Sequence, residues 1–172
     1  MLRHTMLASL VTLATIGSAA AQPAKPTDPQ IAHIAYTAGQ IDIAAAKQAL
    51  AKSHNAQVRA FAESMVRDHT TVNDKALALV KELKVTPEAS PTSTALSKQA
   101  DQTLKRLATL NGKTFDRAYV QNEVAYHRTV NDTLRNTLIP DATNGQLKSL
   151  LSTGLKLFQE HQLHAEQLAK SL

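Results

Sequence analysis

Four long stretches of the chain carry apolar residues at intervals of three and four, the spacing that places side chains on one face of a helix. Helix-ending signals separate these stretches, at His54-Asn55, Thr86-Pro87, Asn111-Gly112 and Pro140. No stretch alternates apolar and polar residues as a half-buried strand does, and the chain has only five glycines, too few for a turn-rich β protein. The pattern therefore predicts an all-α protein.

The same signals predict where the helices begin and end. Asp28 is expected to cap the first helix with Pro29 at its first position, and Asn55 to cap the second. The long helices are predicted at about 29–54, 56–84, 114–138 and 143–172, and a short helix lies between the linker 86–94 and Asn111. Four long helices and one short one predict a four-helix bundle, with the short helix in a long crossover between the second and third long helices.

The start of the chain predicts export. Arg3 precedes an apolar run, Met6 to Ile16, and a stretch of small residues ends at Ala21. This order is typical of a secretory signal peptide cleaved after Ala21, and the run is shorter than the ~20 residues that a retained spanning helix needs. The predicted organisation is a signal peptide, a flexible lead-in and a helical bundle domain, at residues 1–21, 22–29 and 30–172.

Charge and cysteine content narrow the possible partners. The formal net charge is +5, but the basic residues are scattered and none of them forms a run interleaved with aromatic residues, so a nucleic-acid partner is excluded. No later segment is apolar enough to span a membrane, so the processed chain is predicted to be periplasmic and not transmembrane. The absence of cysteine leaves no disulfide and no lipidated thiol, so the fold depends on its core.

Histidines and acids interrupt the apolar stripes at positions that should face the bundle interior. They are Asp42 in the first helix, His69 in the second, Glu123 and His127 in the fourth, and His161 and His164 in the last. If the chain runs up, down, crosses over, then down and up, these residues lie at levels that agree within about one turn. Imidazole and carboxylate are ligands for Zn or Fe, so the sequence predicts a transition-metal site and no organic cofactor.

Other features limit that prediction. None of Glu63, Glu123 and Glu160 has a histidine three residues later, so the paired Glu-x-x-His motifs of a di-iron carboxylate centre are absent. His33 and His54 lie off the stripes and are predicted to be surface residues. If the stripe histidines are buried and neutral, their protonation below about pH 6 should loosen the bundle.

The residues leave three functions open. The first is a periplasmic metal-binding bundle for storage, buffering or stress protection. The second is a non-catalytic envelope module that binds a partner protein, a polymer or another copy of itself, with histidines that only fix helix register. A metal-dependent oxidoreductase ranks last, because the sequence shows neither an open coordination position nor a route for substrate, so a role outside catalysis is favoured.

Three segments carry a resemblance to a known family: FAESMVRDHTTVN (61–73), FDRAYVQNEVAYHRTVN (115–131) and EHQLHAEQL (160–168). Together they resemble a bacterial family of exported proteins that is catalogued as a domain of unknown function, and the resemblance covers about residues 30–170. Members are often labelled outer-membrane proteins and are placed with the ferritin-like bundles.

This resemblance implies a ferritin-like bundle with the crossover described above, and it assigns no reaction. The residues show neither a spanning segment nor the ~10-residue alternating strands of a membrane barrel, so a periplasmic location is predicted in place of the outer-membrane label, with peripheral attachment to the outer membrane left open. Family members usually carry an acid, often Glu, at the position of Asp42. The recurrent family positions that this chain matches are Asp68, His69, Phe115, Asp116, Tyr119, His127, Glu160 and His161.

Cleavage after Ala21 leads to a direct prediction. Protein recovered from the periplasm of a bacterial host should begin at Gln22, and intact-mass spectrometry should give the mass of residues 22–172. A recovered protein that still contains Arg3 would contradict the predicted signal peptide.

Overall fold

The computed structural model describes residues 25–172, so the predicted signal peptide and its cleavage site lie outside the described residues. Within 25–172 the chain forms helices and no strand, which confirms the all-α prediction. The helices are α1 (Asp28–Lys52), α2 (Ala56–Glu82), α3 (Pro91–Ala108), α4 (Gly112–Thr133), α5 (Ile139–Asp141) and α6 (Gly145–Ser171), and a π-helical turn, Leu134–Leu138, joins α4 to α5.

Helix α3 forms the predicted crossover. The main-chain N–H of Glu88, just before α3, donates to the carbonyl of Pro29 at the start of α1 (3.1 Å). At the other end, Lys52 Nζ donates to the carbonyl of Ala108, where α3 ends (2.8 Å). Helix α3 therefore runs parallel to α1, and it returns the chain to the end of the bundle from which α2 started.

The other long helices follow the predicted directions. Thr143 lies against Asp28, so α6 starts at the same end as α1. Arg117 near the start of α4 donates to the main-chain oxygen of Leu172 (2.7 Å), so α4 and α6 are antiparallel. The chain thus runs up, down, crosses over, then down and up, and the fold is a ferritin-like four-helix bundle of α1, α2, α4 and α6.

The cap of α1 differs from the prediction. Thr27, and not Asp28, is the N-cap residue, because its Oγ1 accepts from the N–H of Gln30 while the Gln30 side chain accepts from the N–H of Thr27. Asp28 instead accepts from the main-chain N–H groups of Thr143 and Asn144 at 2.8 Å each. It ties the start of α1 to the start of α6.

The other helix ends follow their signals more closely. Asn55 Oδ1 accepts from the N–H groups of Gln57 and Val58, as predicted for the cap of α2.

Pro140 was predicted to end its helix, but the helical path continues through it to Asp141. Proline lacks an N–H, and the chain accommodates it by widening into the π-helical turn just before it, in which the N–H of Ile139 donates to the carbonyl of Leu134.

The core is divided along the bundle axis. One apolar cluster, around Phe61, Met65 and Tyr119, lies at the end where α1 turns into α2. A second, around Ile34, Leu147 and the π-helical turn, fills the opposite end. Buried polar side chains occupy the level between them. Within residues 25–172, none of the helices combines the length and the hydropathy needed to cross a bilayer.

Gly39 of α1 packs against the side chain of Asn73 on α2. A Cβ atom added there would overlap Asn73 Oδ1, whereas one added at Gly145 would meet nothing within 4 Å. Gly39→Ala should therefore lower the free energy of unfolding by about 1–2 kcal/mol, because the overlap outweighs the gain in helix propensity. Urea unfolding followed by circular dichroism measures the change.

Two variants serve as controls for Gly39→Ala. Gly145→Ala should leave stability unchanged or slightly raised. Adding Asn73→Ala to Gly39→Ala should recover part of the loss, because the overlapping side chain is removed. A Gly39→Ala protein as stable as the wild type would show that the Asn73 side chain does not occupy this space.

Candidate metal centre

The level between the two apolar clusters holds a layer of buried polar side chains contributed by all four long helices. Its members are Asp42 from α1, His69 and Asn73 from α2, Glu123, His127 and Asn131 from α4, and His161 from α6. All of them are at most 5% exposed, although charged and strongly polar residues are rarely buried without partners. Such a layer needs a physical explanation.

Three of these residues form a histidine cluster. The ring centroids of His69, His127 and His161 are separated by 5.7, 5.3 and 5.5 Å in the three pairs. One nitrogen from each ring lies within 4.8 Å of one nitrogen from each of the others. Three helices therefore direct imidazole nitrogens toward a common region of the interior.

The carboxylate of Asp42 adjoins this cluster. Its Oδ2 lies 3.1 Å from His69 Nε2 and 3.4 Å from His127 Nε2. Despite these distances the two nitrogens lack hydrogen-bond partners within the described residues, because the rings are not aligned for donation to the carboxylate. Glu123 completes a second group with Asp42 and His127, whose ligand atoms also lie within 4.8 Å of one another.

The outer nitrogens of two rings are held by neighbours. His127 Nδ1 lies 3.0 Å from the carbonyl oxygen of Glu123 and donates to it. His161 Nε2 lies 3.1 Å from Asp68 Oδ2, and Arg67 donates to the same carboxylate. In each ring the other nitrogen then faces the interior, buried and without a partner among the described residues. This is the arrangement that orients metal-ligating histidines in proteins.

Aromatic packing fixes the third ring. The ring of Phe158 is stacked on His69, with centroids 4.6 Å apart and planes 9° apart. Both nitrogens of His69 are buried without a hydrogen-bond partner within residues 25–172. Stacking on Phe158 therefore orients His69, with Nε2 directed at Asp42.

Burial controls the protonation of the layer. It raises the pKa of Asp42 to about 7, and it raises the pKa of Glu123 well above its usual range, to which the neighbouring Asp42 also contributes. Burial likewise lowers the pKa of His161 to about 4, against the opposing pull of Asp68, and lowers the pKa of His69 and of His127. Glu123 and the three histidines therefore favour their neutral forms near neutral pH, whereas Asp42 is divided between its two forms.

The structure brings together five of the six predicted site residues. Asp42, His69, Glu123, His127 and His161 all lie in the polar layer.

The expectation that His164 joins them is wrong, because this side chain is exposed and its ring packs edge-on against Phe61 (5.1 Å). At about 100° per residue, the buried stripe of α6 passes through Phe158, His161 and Ala165, which places His164 beyond its edge. Of the two histidines predicted to be superficial, His54 is exposed, whereas His33 is half-buried and contacts Thr37.

Sequence reasoning missed the amides and the stacking phenylalanine. Asn73 and Asn131 each lie four residues after a site histidine, so helical spacing alone could have placed them on the same face. Asn131 Nδ2 donates to the carbonyl of Phe158 (3.2 Å) and to Gln162 (3.0 Å). No sequence signal identifies Phe158 as the partner of His69, because that contact depends on how α2 and α6 pack.

Comparison with known proteins agrees with this fold. Residues 13–168 match the family model described as "Domain of unknown function (DUF4142)". A crystal structure from Streptomyces coelicolor, described as "putative secreted protein DUF305", superimposes with a TM-score of 0.69 at 18% sequence identity. The match covers 83% of this chain and 92% of that chain, and at this identity it shows a shared fold only. No curated protein is significantly similar in sequence.

The acids and the histidines of the layer act in opposite directions on stability. A histidine whose pKa falls from about 6.5 in the unfolded chain to about 4 in the fold costs stability as the pH falls between these values. Asp42, whose pKa rises from about 4 to about 7, gains a proton in the fold and restores stability over the same range. The loosening expected below pH 6 is therefore partly offset.

Replacement of Asp42 by asparagine should remove the opposing effect of the acid, so that the histidines dominate the pH dependence of the free energy of unfolding in metal-free protein. Because the amide cannot take up a proton, the free energy of unfolding of Asp42→Asn should fall on acidification more steeply than that of the wild type. The difference should approach about 1.4 kcal/mol per pH unit below pH 7 and should be smaller above it. Urea unfolding at pH 7.5, 6.5 and 5.5 with chelator measures it.

Asp101 provides the matched control, since it is an exposed acid on α3, and Asp101→Asn should leave the pH dependence unchanged. Parallel curves for the wild type and Asp42→Asn would mean that Asp42 is already ionised in the metal-free fold.

Proposed function

The chain belongs to the DUF4142 family, and we propose that it is an exported, periplasmic protein that binds a transition-metal ion inside its helical bundle. The bound ion would be held for storage, buffering or protection against metal stress. The observation that carries the proposal is the set of buried nitrogen and oxygen atoms that converge between the helices without hydrogen-bond partners within residues 25–172.

The energetics of these atoms favour a cation. The unpaired carboxyl and imidazole atoms of the layer are Asp42 Oδ1, both nitrogens of His69, Glu123 Oε2, His127 Nε2 and His161 Nδ1. Each buried polar atom without a partner costs about 1–3 kcal/mol, and a half-satisfied polar layer is worse than an apolar one. A single cation would coordinate several of these nitrogen and oxygen atoms at once.

The donor set indicates which metals fit. Three imidazole nitrogens, from His69, His127 and His161, together with the carboxylate of Asp42 match the ligands that Zn and Fe take. The chain has no cysteine, so the thiolate ligands that favour softer ions are absent. Glu123 lies next to Asp42 and His127 and would add a second oxygen.

Binding should be linked to proton release. A metal ligand must be deprotonated, and burial raises the pKa of Asp42 to about 7. Metal affinity should therefore rise with pH through this region, and acidification should release the ion.

Burial of the ligands favours a storage or buffering role over catalysis. His69, Asp42 and His127 are each at most 3% exposed, and Phe158 covers the face of His69. A catalytic metal needs a coordination position that substrate can reach. The predicted signal peptide, together with the similarity to a protein described as secreted, supports a location outside the cytoplasm.

Elemental analysis of untagged protein purified without chelator tests the proposal. The wild type should contain about one metal atom per chain, and His69→Ala/His127→Ala should contain almost none, because two of the three imidazole ligands are gone. The matched control is His54→Ala/His164→Ala, which removes two exposed histidines and should keep its metal. Circular dichroism verifies that both variants remain helical.

Equal metal contents in the two double variants would show that His69 and His127 do not hold the ion and would contradict the proposal. Wild-type protein that takes up no metal after loading with Zn, Fe and Cu would also contradict it. The histidines would then be structural, and His69→Leu should stabilise the fold, because a polar group leaves the core.

A further inference from the structure

A cavity of about 190 Å³ lies beside the polar layer and is lined mainly by apolar side chains. Its outer part lies between α3 and α4, where the lining residues Gln99, Thr103, Asn122 and Thr129 are exposed or half-buried. Its inner part reaches the bundle interior, where the buried residues Ile34, Leu138, Gly154 and Phe158 line it. The cavity therefore connects the surface with the core.

Small side chains keep this space open. Alanines from four helices line it, among them Ala38 on α1, Ala76 on α2, Ala100 on α3 and Ala125 on α4. Tyr126 crosses from α4 to α1, and its hydroxyl donates to the carbonyl of Ala38 (2.9 Å), which holds the two helices together beside the cavity. The π-helical turn supplies further lining through Leu134, and such turns are frequent at functional sites.

One polar side chain at the inner end lacks a partner. Asn73 lines the cavity and is only 4% exposed, and its Nδ2 has no hydrogen-bond partner within residues 25–172. Its amide is pressed against Gly39, where a Cβ atom would overlap it, so the chain leaves room for this side chain. A buried amide that lacks a partner costs free energy, which a ligand with a complementary group would recover.

We propose that this cavity binds a small, uncharged apolar molecule that carries a single hydroxyl or carbonyl oxygen. The hydrocarbon part fills the apolar space, and the oxygen bonds to the amide of Asn73, which offers both a donor and an acceptor. A dry apolar cavity of about 150 Å³ holds benzene, so the volume here suits a ligand of roughly eight non-hydrogen atoms.

This site is separate from the metal ligands and does not require a bound metal. Phe158 is the contact between the two, because it lines the cavity and stacks on His69. Occupancy of the cavity should therefore be visible in the NMR signals of Phe158 and His69 in metal-free protein. Failure of metal binding and failure of ligand binding can then be told apart.

Benzyl alcohol and ethylbenzene form a suitable pair of probes, since they have the same size and differ in one hydroxyl group. Titration of metal-free wild-type protein, followed by NMR, should give saturable shifts around Phe158 with both probes. Asn73→Leu should weaken benzyl alcohol relative to ethylbenzene by about fivefold, the value of one hydrogen bond. Ala125→Phe, which narrows the mouth, should weaken both probes at least about tenfold.

The matched control for Ala125→Phe is Ala78→Phe, which places the same ring at an exposed alanine of α2 that does not line the cavity. This variant should bind both probes as the wild type does. Shifts that do not saturate, or that persist unchanged in Ala125→Phe, would overturn the cavity as a binding site. An unchanged ratio of the two affinities in Asn73→Leu would overturn the role of Asn73.

Discussion

The contact of one carboxylate with two imidazoles determines how the bundle is arranged. Asp42 of α1 lies within 3.4 Å of nitrogens from His69 of α2 and His127 of α4. Because these groups are buried, a shift of any of the three helices by one turn would leave charges or lone pairs in apolar surroundings. The same layer divides the apolar core into two clusters. The apolar side chains of each cluster therefore pack in register with the polar layer.

Small side chains are the second constraint. In a chain with only 3% aromatic residues, many core positions are alanine, which lets helices approach closely but fills little volume. Gly39 shows the close approach, since Asn73 occupies the space of its missing Cβ. The cavity between α1, α3 and α4 shows the volume left over. Small side chains therefore explain both the close packing of helices around the polar layer and the cavity beside it.

Much of the site could be predicted, because helical spacing relates sequence to one face of a helix. His69, His127 and Asp42 were placed correctly by their stripes and by their distances from the helix ends. His164 was placed incorrectly, because the spacing of apolar residues does not show which positions lie at the edge of a buried stripe. In the structure Ala165, and not His164, is buried. Asp28 was assigned to the wrong partner, since its contacts with Thr143 and Asn144 come from a distant part of the chain.

The sequence by itself determined the helices, most of their ends and the order of directions, because these depend on local periodicity, caps and linker length. Only the tertiary structure decided which nitrogens face one another, that Phe158 stacks on His69, and that burial raises the pKa of Asp42 to about 7. These properties depend on side-chain direction and on exclusion of water between helices far apart in the chain. Neither side-chain direction nor exclusion of water can be read from the local sequence.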